Sequence, residues 1–147
     1  MGEASEPTPR PNPANGISVS GETLGPRVRL AYRFKSMVRR GIRVALSSDA
    51  PVEPFNPNET IRAAMSECEQ PSCFKEEALD IREVLLAYTR VAAEASGGAL
   101  AGSGVLEKGY HADFTVSRSN PLWDHVIEPL EVIVSGFRAS DVFKYLF

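Results

Sequence analysis

Cysteine is scarce: Cys68 and Cys73 are the two in 147 residues. That is too few for a disulfide scaffold, and their C-x4-C spacing in a polar stretch is looser than the CxxC knuckles that hold zinc or carry redox chemistry. They read as ordinary loop cysteines, with a local disulfide as the alternative. No run approaches the roughly 20 apolar residues that a membrane span needs. The amino terminus, MGEASEPTPRPNPANG, has acids and prolines where a secretory signal needs a basic start and an apolar core. The expected compartment is therefore the cytoplasm, with no membrane as partner. Sixteen Lys and Arg against nineteen Asp and Glu leave a formal charge of -3. With no basic stripe and no aromatic-basic interleaving, nucleic acid is excluded as the expected ligand.

Apolar side chains are nearly absent from residues 1–21, which contain Pro7, Pro9, Pro11 and Pro13. Such a stretch buries too little surface to offset the entropy of ordering it, so it is expected to be a disordered, proline-rich leader. Beyond it the composition, 43% hydrophobic and 24% charged overall, is that of an ordinary globular chain of about one domain.

After the leader, the chain alternates in period. GPRVRLAYRFKSMVRRG predicts a helix from Pro26, with Val28, Leu30, Ala31, Phe34, Met37 and Val38 at helical spacing and Gly41 just past its end. Residues 42–46, IRVAL, predict a strand covered on both faces, as in a parallel sheet. Asn58 is placed to cap a helix running to about Met65, and the polar residues 66–75 around Pro71 predict a loop. Residues 79–95 predict a longer helix: Asp80 and Glu83 have capping-box spacing, and Gly97 and Gly98 end it. Afterwards the period shortens. Residues 112–117 (ADFTVS) predict one strand, and 129–138 (PLEVIVSGFR) predict two with a turn at Gly136.

Asp49 stands just past the first of these strands, in RVALSSDAPVEPFNP, and the carboxyl end of an apolar strand is where parallel α/β enzymes place chemistry. Two readings stand side by side. Asp49 is a catalytic carboxylate, or it caps the following turn by accepting backbone N–H bonds, a turn that Ser47, Ser48 and Pro51 suit.

Taken in order, SDAPVEPFNP, EVLLAYTRVAAEASG, GVLEKGYHADFTV and VIVSGF resemble the carboxyl-terminal part of metal-dependent amidohydrolases, specifically amidohydrolase family 3. Each piece is weak alone, and their order makes them specific. The resemblance implies a fold class of α/β: a partial (β/α)8 barrel segment, the last helix-strand-helix, over residues 22–98, then a small β-sandwich-like segment over 99–147. It implies hydrolysis of C–N bonds other than peptide bonds, using zinc or a similar divalent metal that lowers the pKa of a bound water from 15.7 to about 7. By the same match Asp49 faces the metal and takes the proton of the attacking water, Val52, Pro54 and Phe55 form part of an apolar substrate wall, and Glu53 fixes the loop. Tyr88 and Thr89 match a helix bend.

The family also implies an H-x-H pair and further ligands from earlier strands, which have no match here. The two histidines, His111 and His125, both lie after Asp49. His111 is expected on the sandwich side and His125 in a surface loop. With Asp49 they would supply three ligands, the number a catalytic zinc takes, but no sequence clustering supports that set, and solvated loop histidines are the plainer reading. The chain alone is therefore expected to be inactive, with a complementary N-terminal amidohydrolase polypeptide, or self-association, supplying the rest. The alternative is a non-catalytic remnant or binding module that keeps the local structure without the reaction.

Overall fold

The computed structural model describes residues 24–52, 54–65 and 75–143. The leader expected over 1–21, Glu53, Cys68, Cys73 and most of the predicted 66–75 loop lie outside the described residues. The architecture is a set of short helices packed on one another, followed by a three-stranded antiparallel sheet.

The first predicted helix is divided. Gly25–Leu30 is a 3₁₀ helix with Pro26 in its first turn, and α1 covers Phe34–Arg39. Between them Tyr32 adopts φ +53°, which no helix accommodates. The division follows from packing. Phe34 and Val38 reach the hydrophobic core, whereas Leu30 is 62% exposed, so nothing holds the first turn in register with the second. Instead α1 is capped from a distance. Glu77 accepts from the Ser36 N–H at 2.8 Å, the Ser36 hydroxyl at 2.5 Å and Arg33 Nε at 3.2 Å. A carboxylate there satisfies an orphan N–H and complements the helix dipole. Gly41, at φ +75°, ends the helix as expected.

Residues 42–48 form no ladder with any described strand. Their burial nevertheless alternates: Val44, Leu46 and Ser48 are half-buried, while Arg43, Ala45 and Ser47 are exposed. A period of two is that of an extended chain with one face covered. The expectation of two covered faces is thus corrected to one, because helices pack on a single side and no described strand flanks the segment.

Helix α2 covers Pro57–Ala64, and its cap is Asn56, whose Oδ1 accepts from the Asn58 N–H at 3.1 Å. Asn58, the expected cap, is used elsewhere. Its Nδ2 donates to Ile127 O at 2.9 Å and its Oδ1 accepts from Ile127 N at 2.7 Å, so one side chain pairs with a backbone 69 residues away. Helix α3, Ile81–Tyr88, has the capping box read from the sequence, with Asp80 Oδ1 accepting from the N–H groups of Arg82 and Glu83 and the Glu83 carboxylate accepting from Asp80 N. The helix then breaks at Thr89 (φ -112°, ψ -88°), and α4 resumes over Arg90–Ala95. Both the N–H and the hydroxyl of Thr89 bond to Leu85 O, a competition that bends helices.

The sheet comprises β1 (Phe114–Ser117), β2 (Pro129–Val134) and β3 (Phe137–Arg138). A short helix α5 (Pro121–Asp124) lies between β1 and β2, and α6 (Ala139–Phe143) comes after β3. Phe114 pairs with Ile133 and Val134 with Phe137, and a bulge lies at Val116/Ser117. Ser135 (φ +51°) and Gly136 (φ +82°) make the two-residue left-handed turn that suits the twist of a hairpin. Ser135 tolerates this geometry because its N–H donates to Asp113 Oδ1 at 2.6 Å.

The core holds Ile61 and Ala64 from α2, Leu79, and Ile81 and Val84 from α3, with Phe34, Val38, Leu46, Leu122 and Ile127 packed against it. Lys35 joins α1 to the start of α3, 2.7 and 2.6 Å from the two oxygens of Glu83 and 3.5 Å from Asp80. Its bond to Glu83 raises the Lys35 pKa. Hydrogen bonds from the Ser36 hydroxyl and N–H lower that of Glu77, and the Glu83 N–H, with Lys35 nearby, lowers that of Asp80.

A lowered carboxylate contributes stability above its unfolded pKa of about 4 and loses it as pH falls through the folded value; a raised lysine contributes below about 10.4 and loses it as pH rises through its folded value. Stability is therefore expected to be flat through neutrality, falling on the acid side below about pH 4 and on the alkaline side above about 10.4. In urea titrations across pH, Glu77→Gln should lower the midpoint at pH 7, and the gap to the wild type should narrow as the pH falls below about 4. A gap that stays constant into acid would show that the Glu77 carboxylate contributes nothing.

Candidate functional site

The chain reaches Asp49 from an anchored residue. Leu46 lays its side chain on the core, and its N–H donates to Ala87 O at 3.1 Å. That carbonyl lies in the last turn of α3, where backbone acceptors lose their intrahelical partners. An ion pair between Arg43 and Glu94 of α4 holds the same segment from its exposed side. Asp49 stands three residues past the anchor.

Its own geometry is unusual for a residue with a side chain: φ is +51°, in the left-handed region. The backbone is tied on both sides. Asp49 N–H donates to the Ser47 hydroxyl at 3.1 Å, and Asp49 O accepts from Val52 N at 2.9 Å. The turn expected here exists, but Ser47 supplies its side-chain bond. Among the described residues, the Asp49 carboxylate accepts no hydrogen bond and forms no ion pair. No described backbone N–H is capped by it, so the turn-capping role finds no donor among the described residues. What the turn presents is an exposed, uncommitted carboxylate, able to accept a proton or bind a cation.

Val52 and Phe55 lie beyond it on the surface, 62% and 83% exposed, and Pro54 is half-buried between them. Two large apolar side chains in water, three and six residues past Asp49, are exposed surface rather than the lining of an enclosed pocket.

The histidines stand elsewhere. His111 is exposed in the loop before β1, where its N–H donates to Gly102 O at 2.7 Å and its ring lies against Gly102, consistent with a place beside the sheet. His125, expected in a loop, is the half-buried, left-handed cap (φ +55°) ending α5. No three His, Cys, Asp or Glu side chains come together as a metal site among the described residues. Asp49, His111 and His125 thus do not form the set of three, and the described donors do not by themselves fit a metal centre.

The exit from the helices is better defined than the sequence suggests. A Cβ on Gly104 would lie 2.9 Å from Ala93 Cβ and 3.0 Å from both Arg90 Cα and Thr89 O, so the chain can cross the α3/α4 break only with glycine there. Asp113 then accepts from Ser103 Oγ at 3.3 Å as well as from Ser135, joining the exit loop to the hairpin turn. The spacing of G-x-L-x-x-G-x-x-A-D-F contains both residues. Ser47 has a weaker signal, a serine two places before an aspartate in a turn.

The profile of the amidohydrolase family matches residues 2–136. The chain belongs to that family, and the resemblance read from four ordered motifs is borne out. It is 30% identical over 123 residues to YtcJ of Bacillus subtilis (strain 168), which bears an amidohydrolase name, a match covering 75% of this chain and 22% of YtcJ. It is also similar to the crystal structure of an uncharacterized metal-dependent hydrolase from Pyrococcus horikoshii OT3, with a TM-score of 0.64 and 28% identity, covering 86% of this chain and 25% of that one. The chain thus spans between a fifth and a quarter of each relative's length.

If the Asp49 carboxylate is uncommitted, Asp49→Asn should leave stability within about 0.5 kcal/mol of the wild type, since asparagine tolerates the same backbone region. A loss of about 1 kcal/mol or more in urea denaturation would show that the carboxylate holds the turn after all.

Proposed function

We propose that this chain supplies the proton-accepting carboxylate of a hydrolase acting on C–N bonds other than peptide bonds, and that it works in company with polypeptide providing the remaining strands of a (β/α)8 barrel. The observation that carries this reading is Asp49: a free carboxylate on a tied backbone, at the end of an extended segment whose outer face is uncovered. In this reading residues 42–46 are the last barrel strand, residues 22–98 its surrounding barrel portion, and residues 99–147 a share of a β-sandwich. Val52, Pro54 and Phe55 line the substrate's apolar side. Family membership supports a divalent metal; zinc is the ion we propose, held mainly by donors outside this chain and supplying a polarised water when bound.

Two further observations support a missing partner. Segment 42–48 pairs with no described strand. Val132, Val134 and Phe137, which share one face of the sheet, are all exposed, and sheets normally bury one face. Another amidohydrolase polypeptide carrying the histidine-bearing strands would cover both; a second copy of this chain would bring the same incomplete donor set.

The test is reconstitution. The purified chain, alone and mixed with an amidohydrolase polypeptide that lacks this segment, is assayed against a panel of N-acyl amines with zinc. The expected result is no turnover alone and zinc-dependent turnover of the complex, reduced about 10²- to 10⁴-fold by Asp49→Asn, the range of general acid–base catalysis. Turnover by the chain unaided would overturn the shared-site reading. A stable complex whose rate is indifferent to Asp49→Asn would favour a binding module.

A further inference from the structure

We propose that Ser47 is a positioning residue for Asp49, and that the loop from Ser47 to Val52 is arranged so that neither position 51 nor the Val52 amide captures the carboxylate. The inference rests on the reading of Asp49 as the proton acceptor, and deepens it by naming what keeps that acceptor available.

An aspartate in a turn ordinarily folds back on its own chain, accepting a hydrogen bond from the N–H two residues on, or from the next one after that. Both routes are closed here. Position 51 is proline, which has no N–H. The Val52 N–H is already given to Asp49 O at 2.9 Å. The remaining demand of the turn, the N–H of Asp49 itself, is met by the Ser47 hydroxyl at 3.1 Å. The turn therefore closes without drawing on the carboxylate, on a backbone held at φ +51°. A serine serves because its hydroxyl accepts from an amide while carrying no charge to compete with Asp49 for a cation.

The test is NMR of the isotope-labelled full chain, independent of any hydrolytic assay. In Ser47→Ala the Asp49 amide should exchange with solvent about tenfold faster, the factor that a hydrogen bond of ordinary strength confers. The Val84 amide in the core should keep its protection. Ser47→Thr, which retains the hydroxyl, should restore the slow Asp49 exchange. In Pro51→Ala the new amide at position 51 should be protected and shifted downfield as the carboxylate takes it. The proposal is overturned if Asp49 exchange in Ser47→Ala stays within about twofold of the wild type, if threonine does not rescue, or if the amide at 51 stays unprotected. Should Ser47→Ala unfold the core, as Val84 would report, the Pro51→Ala result decides. Failure of reconstituted hydrolysis would remove the catalytic reading and leave these signals unchanged; failure of these signals would remove Ser47's role and leave hydrolysis untouched.

Discussion

The break between α3 and α4 at Thr89 is the constraint on which the other placements depend. A continuous helix over residues 81–95 would keep its mid-helix carbonyls to itself and present an unbroken cylinder of side chains. The break does two things instead. It leaves Ala87 O as acceptor for Leu46 N–H, fixing the extended segment that leads to Asp49. It also opens a close approach filled by Gly104 against Thr89, Arg90 and Ala93, through which the chain leaves the helices for the sheet. The carboxylate and the exit to the sheet are thus both referred to one point on one helix.

Polar links complete what a small core leaves undone. Asn58 and Ile127 exchange two hydrogen bonds between α2 and the approach to β2, imitating a strand pair with a side chain. Glu77 caps α1, and Lys35 fastens the same helix to the start of α3. These links are partly exposed and each contributes modestly. The apolar surface that stays open on the sheet face of Val132, Val134 and Phe137 fits the proposed completion of the packing by more polypeptide.

Local chemistry is legible in the sequence; tertiary competition is not. The capping box of Asp80 and Glu83, the glycine after α1 and the hairpin turn at Ser135 and Gly136 depend on neighbours within four residues, and each stands where its motif places it. The apolar spacing from Pro26 predicts one continuous helix and overshoots, because it runs on past the edge of the core, which begins at Phe34. Asparagine suits a helix cap, which favours Asn58 on paper, but Asn56 precedes Pro57 and takes that role, freeing Asn58 for a partner 69 residues distant. Coverage of residues 42–46 on both faces is the expectation from β-branched composition, which reports the environment a segment suits rather than the one a given chain provides. At Asp49 the sequence leaves two roles open, and the hydrogen bonds around Ser47 and Val52 leave the carboxylate out of the turn among the described residues.

Function rests on the same geometry. The chain belongs to the amidohydrolase family, spans a limited share of its relatives and brings one free carboxylate at Asp49 rather than a metal's full donor set among the described residues. That carboxylate is useful only if its backbone is fixed, and its fixing begins at Leu46. Amide hydrogen exchange at Leu46 tests this most directly. The Leu46 N–H should be protected to the same degree as the amides of α3, opening only when that helix opens. Exchange at the rate of an unstructured loop would mean that the segment is not anchored to the helix break, and that the position of Asp49 is not set by it.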